Sequence, residues 1–147
     1  MKLEEIEESW GKDCKIDDTE LDAESIKIPQ IHNKYLKLYN QENLILRKLK
    51  YQYKELERSK HEYYGGKMDE TELERLGWKQ FDHRLLRQDI SRYLESDKDL
   101  IDLLIKTDYH QTKVDYIKAI ISSINGRSFH ISNAIKWRQF INGLGQL

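Results

Sequence analysis

The chain has 147 residues, 38% of them apolar and 35% charged, with a net charge of −1. That length allows one modest domain with a core that must use its apolar residues fully, or share them with another subunit. No window approaches the roughly 20 apolar residues of a membrane-crossing helix. The single cysteine, Cys14, rules out an internal disulfide and fits a reducing compartment.

The charge is segregated. Residues 1–25 hold ten acids and three lysines, a net −7, so the remainder sums to +6. A ligand feels the local field over about one Debye length, ~8–10 Å, and so meets two different surfaces. One proline in the whole chain, Pro29, and one valine, Val114, predict helices almost throughout and little strand.

In chain order, residues 2–11 read as a short acidic amphipathic helix carrying Leu3, Ile6 and Trp10. Its opening residues contain no apolar run that would serve as a signal peptide. Residues 15–22 read as a loop, and Pro29 as part of the first turn of the next helix. From Ile31 the positions 31, 35, 38, 42, 45, 49, 52, 56, 59 and 63 follow the alternating three-and-four spacing of a heptad. Glu42, Gln52 and Ser59 interrupt its apolar character, which predicts a long packed helix rather than an ideal coiled coil. Gly65-Gly66 predicts its end.

Thr71–Glu74 resembles a capping box for a helix running to about Tyr93. Ser96-Asp97-Lys98-Asp99 predicts the next N-terminus, with acids where the helix dipole favours them. The helix behind it carries Leu100, Leu103, Leu104, Thr107, Val114, Ile117, Ile121 and Ile124. A last helix over about 128–142 holds Phe129, Ile131, Ile135, Trp137, Phe140 and Ile141 on more than one face. This excess predicts a subunit contact through Ile121, Ile124, Trp137, Phe140 and Ile141. The fold expected is all-α: helical hairpins or a bundle, with one long basic helix. Residues 1–93 are expected to form an N-terminal helical region with the acidic first segment and the long basic helix, and residues 94–147 a C-terminal helical oligomerisation region.

The richest segment is 47–67, RKLKYQYKELERSKHEYYGGK. Seven cations stand against three acids there, a net +4, interleaved with Tyr51, Tyr53, Tyr63 and Tyr64. Cations that neutralise phosphates beside rings that stack on bases are the two ingredients of single-stranded nucleic-acid binding. A solvated lysine-rich face would look similar from composition alone. Catalysis finds no support: five scattered histidines and one cysteine give no zinc spacing, and no phosphate-binding glycine loop is present. No cofactor is expected. Asp97 and Asp99 suit helix capping better than metal binding.

The landmarks also occur in a specific order. An opening Met-Lys-Leu-Glu leads through Lys12-Asp13 and Ile16–Thr19 to Arg58-Ser59-Lys60, then Tyr63-Tyr64-Gly65-Gly66. Leu94-x-x-Asp97-Lys98-Asp99-Leu100, Arg127-x-Phe129 and Arg138-x-Phe140 follow. In these features the chain resembles the UvsY recombination mediators of large tailed phages. The resemblance implies a non-enzymatic factor of homologous recombination and repair in the host cytoplasm. Such a factor binds single-stranded DNA and helps displace the phage single-strand-binding protein. It loads a RecA-like phage recombinase and works as a ring-like homo-oligomer of about six or seven subunits. The family's basic pair before the Tyr-Tyr turn falls on Arg58 and Lys60, although Ser59 and His61 depart from the family pattern. The DNA contacts expected are Arg58 and Lys60, assisted by Lys54, Lys67 and Lys50, with Tyr64 stacking on a base and Tyr63 packing in the core. Arg58 and Lys54 share a helical face, whereas Lys60 lies about 200° round from Arg58. The acidic N-terminal segment suits a basic surface of a protein partner. A self-assembling helical adaptor with no DNA role is the alternative that these residues leave open.

Overall fold

A computed structural model describes residues 1–143. Among the described residues there are six helices and no strand: α1 Leu3–Asp13, α2 Leu21–Tyr64, α3 Glu70–Leu76, α4 Arg87–Glu95, α5 Lys98–Asn125 and α6 Arg127–Ile141. The all-α expectation holds. None of these helices is long and apolar enough to cross a membrane. The chain divides into two compact units, residues 1–43 with 112–147, and residues 44–111. The first is therefore built from both ends of the chain, a partition that differs from the contiguous regions meeting at residue 93.

The first unit centres on Ile6, Tyr35, Leu38, Ile117, Ile120 and Ile124, with Trp10, Ile28, Ile31, Tyr39, Tyr116 and Ile121 packed around them. Spacings of three and four put these side chains on one face each of α1, α2 and α5. Polar ties fix the register. The Tyr35 hydroxyl donates to Asp13 Oδ2 at 2.8 Å, and Lys34 Nζ donates to the same oxygen at 2.6 Å. Buried Arg127 donates to the carbonyls of Asp13 and Lys15 and to Glu24 Oε2 at 2.6, 3.0 and 3.1 Å, closing off the end of α1. The heptad break at Glu42 proves to be a buried ion pair: Lys113 Nζ lies 2.9 Å from its Oε1, both side chains 4% exposed.

Several boundaries differ from the sequence expectation. Helix α2 starts at Leu21, so Pro29 sits inside the helix and not in its first turn. It supplies no N–H to the carbonyl of Ser25, a loss that 44 residues of continuous helix absorb. The buried face of α2 follows Tyr35, Leu38, Glu42, Leu46 and Leu49, then half-buried Tyr53 and Leu56, then Lys60. That is close to 3.6 residues per turn, and a strict heptad drifts off such a face, which is why Ile45 and Gln52 point outward.

The helix expected over 73–93 is two short helices. Gly77, at φ 69°, ends α3 after seven residues, with Trp78 N–H donating to Leu73 O at 3.0 Å. Residues 77–86 are not helical, and α4 begins at Arg87. The cap of α3 is Asp69, whose Oδ1 accepts from Glu72 N–H at 2.8 Å; Thr71 is already within the helix.

Candidate nucleic-acid interface

Two features of the second unit position the basic segment. The first is the end of α2. Gly66 takes φ 69°, Gly66 N–H donates to Tyr63 O at 3.2 Å and Lys67 N–H to Glu62 O at 3.0 Å, the paired bonds of a Schellman cap. The second is an aromatic cluster around that end. Tyr63 meets Trp78 and Phe81 at 5.3 and 5.6 Å between centroids, and Tyr64 meets Phe81 and Tyr93 at 5.1 and 5.5 Å. The Tyr63 hydroxyl donates to the carbonyl of Lys79, holding the non-helical segment against α2.

Lys60 lies inside this arrangement. Its ammonium sits 2.8 Å from Asp99 Oδ2 and 3.1 Å from Asp97 Oδ2, with the Trp78 ring 4.1 Å away, and its side chain is 7% exposed. Asp97 also accepts from the Tyr64 hydroxyl at 2.6 Å and from Leu100 N–H at 3.0 Å, the latter as the N-cap of α5. Burial alone would push the Asp97 carboxyl up. The Tyr64, Leu100 and Lys60 donors outweigh it and hold the carboxyl below its ordinary range. The same burial and the neighbouring carboxylate push the Tyr64 phenol up.

Two expected DNA contacts therefore need correcting. Lys60 does not face solvent: two carboxylates and an indole occupy its donors. Tyr64 is not an open stacking platform either, since its ring is packed on Phe81 and Tyr93 and its hydroxyl is committed to Asp97. Tyr63 packs as expected. Sequence reading missed Asp99, Trp78 and the acceptor role of Asp97 toward Lys60. Thirty-nine residues separate Lys60 from Asp99, and no local spacing signals such a pair.

The other cations are presented to solvent. Arg58 has an 84% exposed side chain whose Nε lies 3.5 Å from Glu62 Oε1, an exposed pair of the kind worth about 0–1 kcal/mol and easily exchanged for a phosphate. Lys54 is exposed one turn earlier on the same face, with its ammonium 6.0 Å from the Tyr51 ring centroid. Lys54 and Arg58, with Glu57, His61, Glu62 and Leu94, line a shallow depression. Lys67 is exposed beyond the glycine turn, and exposed Lys50 donates to Gln111 Oε1 at 3.4 Å. Among the described residues no group of three or more His, Cys, Asp or Glu side chains is placed to hold a metal ion.

The interior of the first unit corrects part of the expected subunit contact. Ile124 is 1% exposed in the core and Ile121 packs against it. Trp137, Phe140 and Ile141 are instead 60–63% exposed on α6, the first two stacked at 5.7 Å.

The profile of the family described as "Recombination, repair and ssDNA binding protein UvsY" matches residues 9–144. The chain belongs to the UvsY family. It is 24% identical over 143 residues to the recombination protein UvsY of Enterobacteria phage T4, covering 97% of this chain and 99% of that one. Two crystal forms of the bacteriophage T4 recombination mediator protein UvsY share its fold, each at TM-score 0.84 and 23% identity. They cover 95% and 97% of this chain and 99% and 98% of theirs. Recombination, repair and single-stranded-DNA binding are thus the family's business.

Proposed function

We propose that the protein is a recombination mediator whose single-stranded-DNA contacts are Arg58 and Lys54, assisted by Lys50 and Lys67. The observation that carries the reading is the pair Lys54 and Arg58, one helical turn apart and exposed on α2 in a member of a single-stranded-DNA-binding family. Their flexible side chains neutralise backbone phosphates without reading sequence, as a factor acting on any strand requires. Lys60 and Tyr64 serve the site indirectly, by fixing the end of α2.

One subunit offers few such contacts. Self-association through Trp137, Phe140 and Ile141 repeats the patch, and avidity then supplies affinity without a new contact type. A strand wrapped over repeated patches is withdrawn from the phage single-strand-binding protein and presented to a RecA-like recombinase. This chain's part in the sequence is binding and display, with no covalent step.

Fluorescence anisotropy of a labelled oligothymidylate across a salt series tests the reading. The expected result is binding that weakens as salt rises, with a slope shallower by ~1 for each cation removed in Arg58→Ala and Lys54→Ala. No binding by the wild type at low salt overturns it in favour of a helical adaptor.

A further inference from the structure

The outer face of α2 holds a large aromatic ring that no core explains. Tyr51 is 63% exposed, whereas Tyr35 is fully buried and Tyr63 and Tyr64 lie in the aromatic cluster. Arg47, Tyr51, Lys54 and Arg58 follow one another at steps of four, three and four. At 100° per residue the four fall within an arc of about 60°, and 1.5 Å per residue spreads them over about 16 Å. All four are exposed. The Lys54 ammonium stands over the Tyr51 ring at 6.0 Å, so a cation and a π-face are offered together. Three acids flank the strip, Glu55, Glu57 and Glu62, and Glu62 is the partner of Arg58.

We infer that a single strand of DNA runs along α2 over Arg47, Tyr51, Lys54 and Arg58, with the Tyr51 ring as the platform on which one base stacks. The inference rests on the reading of Lys54 and Arg58 as phosphate contacts, and adds a ring and a further cation to it. Stacked nucleotides repeat at about 3.4 Å along a strand, so the strip spans roughly four or five of them, within the range of a single-strand site. Phosphates meet Arg47, Lys54 and Arg58, while an unpaired base turned toward the helix covers the phenol ring. A duplex keeps its base faces inside the stack and has none to offer, so the ring favours single strands while the cations alone do not.

The test compares an oligothymidylate with an abasic strand of equal length, both labelled, by anisotropy with the full-length protein. Tyr51→Ala is expected to weaken the oligothymidylate at least about fivefold, the lower end of a single base stack. It should leave the abasic affinity and the salt slope unchanged. Tyr51→Phe keeps the ring and should bind as the wild type does. Tyr51 is exposed, so far-UV circular dichroism should match for all three proteins. Unchanged oligothymidylate binding by Tyr51→Ala overturns the inference, and so does equal weakening on both strands, which would make the ring a support for the cations. Failure of the wild type to bind either strand would overturn the phosphate reading itself, and the inference with it.

Discussion

Arg58 and Lys60 are two positions apart in α2, and about 200° of helix rotation separates their environments. Arg58 ends in solvent, whereas Lys60 ends between Asp97 and Asp99 under Trp78. Their substitutions should differ accordingly. Arg58→Glu should weaken single-stranded-DNA binding with no change in thermal midpoint. Lys60→Ala should cost about 3–5 kcal/mol of stability, because it leaves a buried carboxylate without its cation; a urea titration measures this. A Lys60→Ala protein as stable as the wild type would show that the lysine is dispensable to the fold.

Asp97 adds a pH dependence. Its carboxyl is held below its ordinary 3.8 in the folded chain, so the unfolded chain takes up protons first as pH falls. The stabilisation is fully present above that ordinary value and is lost as pH drops through the lowered one. The thermal midpoint should therefore hold from neutrality to about pH 5 and decline below about pH 4, and Asp97→Asn should flatten part of that decline while lowering stability at pH 7.

At the scale of elements, the two positive-φ glycines that end α2 and α3 decide where the basic segment stops and where the chain turns back. A Cβ at Gly66 would meet no atom within 4 Å, so its cost is backbone strain alone. Gly66→Ala should lower stability by about 1–2 kcal/mol, read from the urea midpoint, with helicity retained. The end of α2 at this pair was legible in the sequence, because a C-terminal cap is a local event. The break at Gly77 was not read. Trp78, Phe81 and Leu85 keep a helix-like spacing through it, and the Trp78 and Phe81 rings are placed by the cluster around Tyr63 and Tyr64 rather than by a helical repeat.

At the scale of the molecule, the apolar surface of α6 is the feature a lone subunit leaves unused. Trp137→Asp with Phe140→Asp should give a smaller species by light scattering with unchanged helicity. An unchanged mass would overturn the proposed self-association through α6. Truncation at residue 123 is the poorer test, because Ile124, Arg127 and Ile131 are buried in the first unit and their loss would unfold it.

The sequence by itself determined the helical class, the end of α2, the N-terminus of α5 and the basic, tyrosine-rich character of residues 47–67. Each of these follows from residues within a few positions of one another: propensity, caps, glycine conformation and local charge. Tertiary structure alone decided which of those cations and rings remain available. Lys60 and Tyr64 are held by Asp97 and Asp99, more than thirty residues away, whereas Tyr51, Lys54 and Arg58 stay exposed on the outer face of α2. A helix presents every direction around its axis. Which direction is buried depends on what packs against it, and the spacing of one segment does not carry that information.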